Sequence, residues 1–256
     1  MGVDMHWATR SAKVGLRSLA EFVWPSRSIV SGERHGGAGA LPATEFANLQ
    51  FLVGSGCRSC AVPMDVDLGE ASLCGACAAK PKAWDQARAA IAYDDVSKRI
   101  ILDLKHAGRR DGLATITNWM AMAGQDILQQ TDWLIPVPLH YQRLAKRGFN
   151  QSVWLAQGVA RHSHNLVLVD GLRRTRPTPS QGGLTAKQRR DNVKGAFSVR
   201  PSRAPRLKGA TVTLIDDVYT TGSTLSACAK TLKEAGASTV NILVLARVVR
   251  EADITI

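Results

Sequence analysis

The sequence predicts an α/β fold, a parallel sheet with helices on both faces, preceded by a small cysteine-bearing module. Three observations predict it. From Trp84 onward, short apolar segments of strand length alternate with longer ones of helical period. One of those strands leads into two acids and a string of small residues, after which a helix begins. Four of the five cysteines stand as two C-x-x-C pairs ahead of the first strand. With 45% hydrophobic and 21% charged residues over 256 positions, whole-length disorder is ruled out, and there is chain enough for one full domain with an attachment.

Taken in order, residues 10–24 read as a basic amphipathic helix that Pro25 stops, and 26–43 as a Gly- and Ser-rich loop. The cysteine pairs follow. Residues 87–93 read as a strand and 94–106 as a helix burying Val96, Ile100, Ile101 and Leu104. Strands are expected at 133–137 and 166–169, with a helix at 151–161 between them. The basic, Pro- and Gly-punctuated stretch 173–208 is assigned no regular element. Then come a buried-type strand at 212–215, a helix at 224–235 ended by Gly236, and a last strand at 239–249. No internal repeat is visible. The expected divisions are 1–50, 51–83 and 84–256.

No uncharged apolar run approaches the ~20 residues that a spanning helix needs, and the N-terminus lacks the pattern of a secretory signal. The odd cysteine count argues against a disulfide scaffold and for a reducing, cytoplasmic setting. A formal charge of +12 suggests polyanionic partners, and eleven of the 33 Lys and Arg residues lie within 173–208, against the single acid Asp191.

Cys57-x2-Cys60-x13-Cys74-x2-Cys77 offers the four thiolates that tetrahedral zinc requires, with Gly56 and Gly75 beside the pairs. Redox pairs or simple buried thiols are the alternatives. So small a module cannot bury a sufficient core, so the metal would supply its folding energy. Cys228 has core spacing with Leu225 and Leu232 and reads as a buried small residue.

The most informative stretch is Val212-Thr-Leu-Ile-Asp-Asp-Val-Tyr-Thr-Thr-Gly-Ser-Thr224. Ligands of open α/β sheets sit at the carboxyl ends of strands, and a helix N-terminus offers N–H groups and a positive dipole end to a phosphate. Gly222 permits close backbone approach. Two carboxylates would repel that phosphate unless they have another task, such as vicinal ribose hydroxyls or a shared divalent cation. Capping explains the Thr and Ser residues but not the paired acids, Asp216 and Asp217.

This stretch resembles the signature of type I phosphoribosyltransferases. The resemblance implies that Asp216 and Asp217 contact the ribose hydroxyls of phosphoribosyl pyrophosphate. It further implies that Tyr219, Thr220, Thr221, Gly222, Ser223 and Thr224 form its phosphoribosyl-binding loop. Departure of pyrophosphate calls for pre-placed cations and Mg²⁺. Lys105 stands in one basic turn, beside Arg109 and Arg110. Arg143, Lys146 and Arg147 emerge after a second strand, before Gly148 and a helix that Asn150 can cap, and read functionally as a pyrophosphate loop. A solvated basic helix start is the bland alternative for any one of them. Residues 177–192, with Arg189, suit a mobile lid over a polyanion or, equally by composition, a loose basic loop.

Over about 55–250 the chain resembles the ComF family, associated with natural competence and the use of external DNA. The resemblance rests on the cysteine pairs, Ala92-Tyr-Asp-Asp95, Leu104-Lys-His106, Ile135-Pro-Val-Pro-Leu-His140, Arg147-Gly-Phe-Asn-Gln151, Pro179-Ser-Gln-Gly-Gly-Leu184, Arg189 with Asn192, Gly195-Ala-Phe197 and the signature. Two departures matter. The family's upstream cysteine cluster is replaced by Ser28, Ser31, Pro42 and Glu45, a set that cannot hold zinc. Thr220 stands where 6-oxopurine salvage enzymes carry an acid, which speaks against that activity. The resemblance implies zinc, Mg²⁺ with phosphoribosyl pyrophosphate or a nucleotide, and catalysis by Asp216, Asp217, Lys105, Arg143, Arg147 and Arg189. Three functions stay open: a phosphoribosyltransferase, an accessory protein holding single-stranded DNA for the uptake machinery, and a regulator that binds phosphoribosyl pyrophosphate without turnover.

Overall fold

The computed structural model describes residues 27–34, 41–52, 54, 56–64, 72–107, 110, 112–176, 188, 191 and 193–249. The helix expected over 10–24, most of the expected lid, Arg189 and Asn192 lie outside the described residues. The described elements are α1 (Ala43–Ala47), α2 (Gly75–Ala79), β1 (Gln86–Ala92), α3 (Asp95–Leu102), α4 (Leu113–Ala123) and α5 (Gln125–Leu128). After them come β2 (Trp133–Pro136), α6 (Tyr141–Arg147), α7 (Gln151–Ser163), β3 (Leu166–Val167), β4 (Leu172–Arg174) and β5 (Phe197–Val199). The chain continues through α8 (Ala204–Leu207), β6 (Thr211–Tyr219), α9 (Ser223–Glu234) and β7 (Thr239–Arg247). None of the described helices is long and apolar enough to cross a membrane.

Five strands form one parallel sheet in the order β1-β7-β6-β2-β3. Its strands are apolar on both faces, as a sheet covered on both sides requires. Along β7, Val240, Ile242 and Val244 join a core shared with α9, whereas Leu243 and Leu245 join a second core shared with α4 and α7. After β2 the chain moves outward to β3, and after β6 it moves the opposite way to β7. The order therefore reverses between β2 and β6, and the crevice at their carboxyl ends is where an open α/β sheet receives a ligand.

Four readings of the sequence need correction. The strand read as 212–215 runs on as β6 to Tyr219, so the two acids lie within the sheet, with Asp216 opposite Val244 and Tyr219 opposite Arg247. Arg143 and Arg147 sit on a short helix, α6, rather than a loop. The stretch 173–208, assigned no element from sequence, takes part in a two-stranded antiparallel ribbon, β4 with β5, and contains α8. Finally, the chain does carry a repeat. Ser28 N–H donates to Glu33 O at 2.8 Å and Gly32 N–H to Ser28 O at 3.0 Å. Likewise Cys57 N–H donates to Val62 O and Ala61 N–H to Cys57 O, both at 2.8 Å. An antiparallel bridge closes each turn, Arg27 to Arg34 and Gly56 to Pro63. Gly32 and Ala61 share the left-handed conformation, with φ of 74° and 57°. Each turn is followed by a five-residue helix, α1 after Pro42 and α2 after Cys74. Ser28 and Glu45 thus stand where the second copy has Cys57 and Cys77, and the Ser28 hydroxyl donates to the Glu45 carboxylate. A hydrogen bond closes the first copy in place of sulfur ligands.

Candidate functional site

The crevice is built from three segments. β6 delivers Asp216 and Asp217. Gly222, with φ of 74°, then turns the chain into α9, so the first turn of a twelve-residue helix follows the acids directly. Such a turn presents N–H groups with no acceptor inside the helix. Thr221 and Ser223 hydroxyls lie 3.0 Å apart beside it. The Tyr219 ring, 2% exposed, does not line the crevice: it packs edge-on against Trp84, and burial raises its hydroxyl well above the usual range. Only its backbone can serve a ligand.

The second segment follows β2. His140 caps α6, with Nδ1 accepting from Gln142 N–H at 3.4 Å, and Gly148 ends that helix at φ of 80°. Asn150 caps α7 as expected, accepting from Ser152 N–H at 3.1 Å while its amide donates to Val137 O at 3.0 Å. That pair of bonds fixes the start of α7 against the end of β2. It places Gln151 and Ser152 on the acids: Gln151 Nε2 donates to Asp217 Oδ2 at 2.9 Å, and Ser152 Oγ to Asp216 Oδ1 at 3.0 Å. Arg147 reaches the same network, donating to Gln151 Oε1 at 2.8 Å.

The third segment follows α3, whose end widens into a π-helical turn, Asp103–Ala107, within the stretch expected to be helical throughout. π-turns are frequent at functional sites. Lys105 on this turn pairs with Asp217 at 3.3 Å. A stack ties the second and third segments together: Arg110 lies 4.4 Å over Trp154, Trp154 stacks on Phe149 at 4.3 Å, and Arg147 stands 6.0 Å from Phe149. Arg110 is exposed, but it is also part of this stack.

The structure therefore brings together Asp216, Asp217, Lys105, Arg147 and the turn into α9. Arg143 lies on α6, near enough to Arg174 for its charge to oppose that guanidinium, which burial already disfavours. Burial, then the neighbouring Asp217, push Asp216 up to about 7, against the pull of the Asp217 N–H, Lys105 and Ser152. Two carboxylates with a lysine and a helix N-terminus can hold a divalent cation, adjacent hydroxyls and a phosphate together. Gln151, Ser152 and His140 were not singled out from sequence. Gln151 closes the stretch Arg147-Gly-Phe-Asn-Gln151 and His140 the stretch Ile135-Pro-Val-Pro-Leu-His140, the sequence signal by which they could be found. His140 is 2% exposed, and its Nε2 has no partner among the described residues.

The four cysteines converge as expected, their sulfurs all within 4.8 Å of one another, with Cys60 and Cys74 Sγ 3.7 Å apart. Hydrogen bonds from Cys60 and Cys77 hold the Cys57 sulfur far below the ordinary thiol range. The same Cys57 raises both partners, Cys77 to about 11. Four sulfurs this close and unbridged form a donor set that fits one tetrahedral ion. Cys228 is buried on α9, in the same core as Leu225 and Leu232.

Residues 135–253 match the phosphoribosyl transferase domain family. A DNA utilization protein YhgH of Escherichia coli O157:H7 is 33% identical over 179 residues, 68% of this chain and 77% of that protein. Competence protein F of Haemophilus influenzae is 32% identical over 182 residues, 69% of this chain and 79% of that protein. An orotate phosphoribosyltransferase from Aeropyrum pernix aligns at a TM-score of 0.34 and 16% identity, over 62% of this chain and 80% of its own. Sheet order, acid pair and relatives of this coverage lead to one conclusion: the chain belongs to the ComF family of phosphoribosyltransferase-domain proteins.

Proposed function

We propose that the crevice binds phosphoribosyl pyrophosphate with Mg²⁺ and that the protein acts in the uptake or use of DNA, as the names of its relatives suggest. The observation that carries the ligand is the acid pair at the reversal of strand order, followed at once by a helix N-terminus and engaged by Lys105 and Gln151. Asp216 and Asp217 address the ribose hydroxyls, the turn from Thr220 to Thr224 takes the 5′-phosphate, and Lys105 and Arg147 face the pyrophosphate. Arg143 and Arg189 belong to the same cationic set in this reading. Mg²⁺ would neutralise charge developing on the leaving oxygens. Transfer breaks the C1–oxygen bond, whose electron pair leaves with pyrophosphate, while a nucleophile bonds to C1 and gives up its proton. Zinc at the four cysteines is structural.

Calorimetric titration of phosphoribosyl pyrophosphate, with and without Mg²⁺, tests this. Magnesium-dependent binding is expected, and it should vanish in Asp216→Asn with Asp217→Asn while the zinc content stays the same. Unchanged affinity in that double variant would sink the site. A second reading, attachment to single-stranded DNA, is favoured by the exposed cations of the ribbon and its flank, Arg173, Arg176, Lys194, Arg200, Arg206 and Lys208. It predicts DNA binding that weakens steeply with salt and survives the double substitution.

A further inference from the structure

Two carbonyls of the turn between Cys57 and Cys60 accept hydrogen bonds from distant parts of the chain. Trp84 Nε1 donates to Ser59 O at 2.7 Å, and Arg247 Nε donates to Cys60 O at 3.0 Å. Both donors also support the turn into α9. Arg247 Nη1 donates to Thr220 O at 3.2 Å and approaches Tyr219 O at 3.5 Å, and the guanidinium lies 4.1 Å over the Tyr219 ring. Trp84 stands edge-on to that ring at 5.5 Å, and a Cβ placed on Gly222 would lie 2.8 Å from its indole. One planar cation and one indole therefore separate the metal-site backbone from the backbone of the phosphate turn.

Arg247 is 6% exposed, at the end of β7 in register with Tyr219. If it only filled space, an apolar side chain would do so without the desolvation cost of a buried charge. Its fork serves carbonyls on two sides at once, a geometry that a lysine ammonium does not reproduce. A buried guanidinium must keep its acceptors, so the Cys60 carbonyl and those at 219–220 are held by one rigid group, while the Trp84 indole holds Ser59 O beside it. The four sulfurs fix the 57–60 turn only when something holds them on a common centre. We propose that Arg247, assisted by Trp84, is a positioning residue through which the metal at the four cysteines sets the shape of the phosphate turn, making ligand affinity there depend on metal occupancy. The ligand named is that of the preceding reading; the coupling of the two backbones is independent of it.

The test uses the full, zinc-loaded chain at a temperature where the zinc-free protein stays folded. When a chelator removes zinc, hydrogen exchange at 219–225 should accelerate by at least about tenfold and run well ahead of exchange at 133–136, which follows only the stability of the sheet as a whole. Because coupling is reciprocal, phosphoribosyl pyrophosphate with Mg²⁺ should slow zinc release to a chromogenic chelator. In zinc-loaded Arg247→Lys the 219–225 segment should already exchange fast, and ligand should no longer slow zinc release. Trp84→Phe, which keeps a ring against Tyr219 but loses the bond to Ser59 O, should lie between. Exchange at 219–225 that ignores zinc, or an Arg247→Lys protein retaining full coupling, overturns the proposal. If chelation unfolds the whole chain, zinc-loaded Arg247→Lys decides alone: fast exchange confined to 219–225 upholds the coupling, and wild-type protection there overturns it. If phosphoribosyl pyrophosphate fails to bind the wild type while exchange follows zinc, the ligand falls and the coupling stands.

Discussion

The two acids of β6 are neighbours in sequence with different surroundings. Asp217 pairs with Lys105 and accepts from Gln151, whereas Asp216 is pushed up to about 7, first by burial and then by Asp217. Its ordinary value is 3.8, so the folded chain holds a proton that the unfolded chain releases. Stability therefore falls as pH rises from about 4 through about 7, and above that the full cost is present. Each tenfold difference in proton affinity between the folded and unfolded chain is worth about 1.4 kcal/mol, so Asp216→Asn should gain up to a few kcal/mol at pH 8 and almost nothing at pH 4. Urea unfolding of both proteins at the two pH values checks this, and equal differences at both would refute it. Ligand binding should run the opposite way: the ionised carboxylate is what a cation or ribose hydroxyl needs, so wild-type affinity should rise between pH 6 and 8. On the proposed function, the residue that costs stability at neutral pH is the one that ligand binding requires.

At the scale of elements, what could be read from sequence depended on whether the signal was local. The start of α7 was legible because Gly148 and Asn150 mark it within a few residues, and the acid pair was legible because strand, acids and glycine are contiguous. α4 was not read. Ile116, Trp119 and Met120 form one core-facing stripe, but the helix Leu113–Ala123 carries no charge and Leu113, Ala114, Ala121, Met122 and Ala123 spread apolar residues round it, so the stripe does not stand out in the sequence. The β4–β5 ribbon was hidden by its three-residue strands, of which β4 carries two arginines, and by their pairing across more than twenty intervening residues. The bonds of Trp84 and Arg247 to the cysteine turn span 25 and 187 positions, and only the folded sheet makes the second of them. Packing between elements also overrides propensity at Gly158 of α7, where a Cβ would lie 2.4 Å from Thr117 Cγ2 on α4. Thr117 cannot easily yield, because its hydroxyl donates to Leu113 O at 2.8 Å. Alanine gains about 1 kcal/mol of helix propensity, yet overpacking costs about 1–3 kcal/mol. Gly158→Ala should therefore lower the urea midpoint, and adding Thr117→Ala should recover part of the loss. A midpoint raised by Gly158→Ala alone would show that the two helices can separate cheaply.

Across the whole molecule, the cysteine module shares the core of the sheet. Cys57, Cys60, Val62 and Cys77 belong to the same buried cluster as Val212 and Leu214 of β6, Ile242 of β7 and Leu232 of α9. The sequence suggested a module that owes its folding to metal alone, but its inner side is covered by the larger domain. Arg58 also contributes backbone bonds at this junction, its carbonyl accepting from Ala87 N–H at 2.8 Å. Metal binding and folding of the sheet are then one equilibrium, because an ion held only by the folded chain adds its binding free energy to the whole cooperative unit. Scanning calorimetry of the zinc-loaded protein should show a single transition for the module and the sheet. Removing zinc should move that transition down without splitting it. For a domain of this size each kcal/mol lost lowers the midpoint by about 2–4 °C, so losing even ~5 kcal/mol of metal binding would lower it by roughly 10–20 °C. Two separated transitions, with only the lower one responding to zinc, would mean that the module melts on its own. The shared core would then not be what holds the module to the sheet.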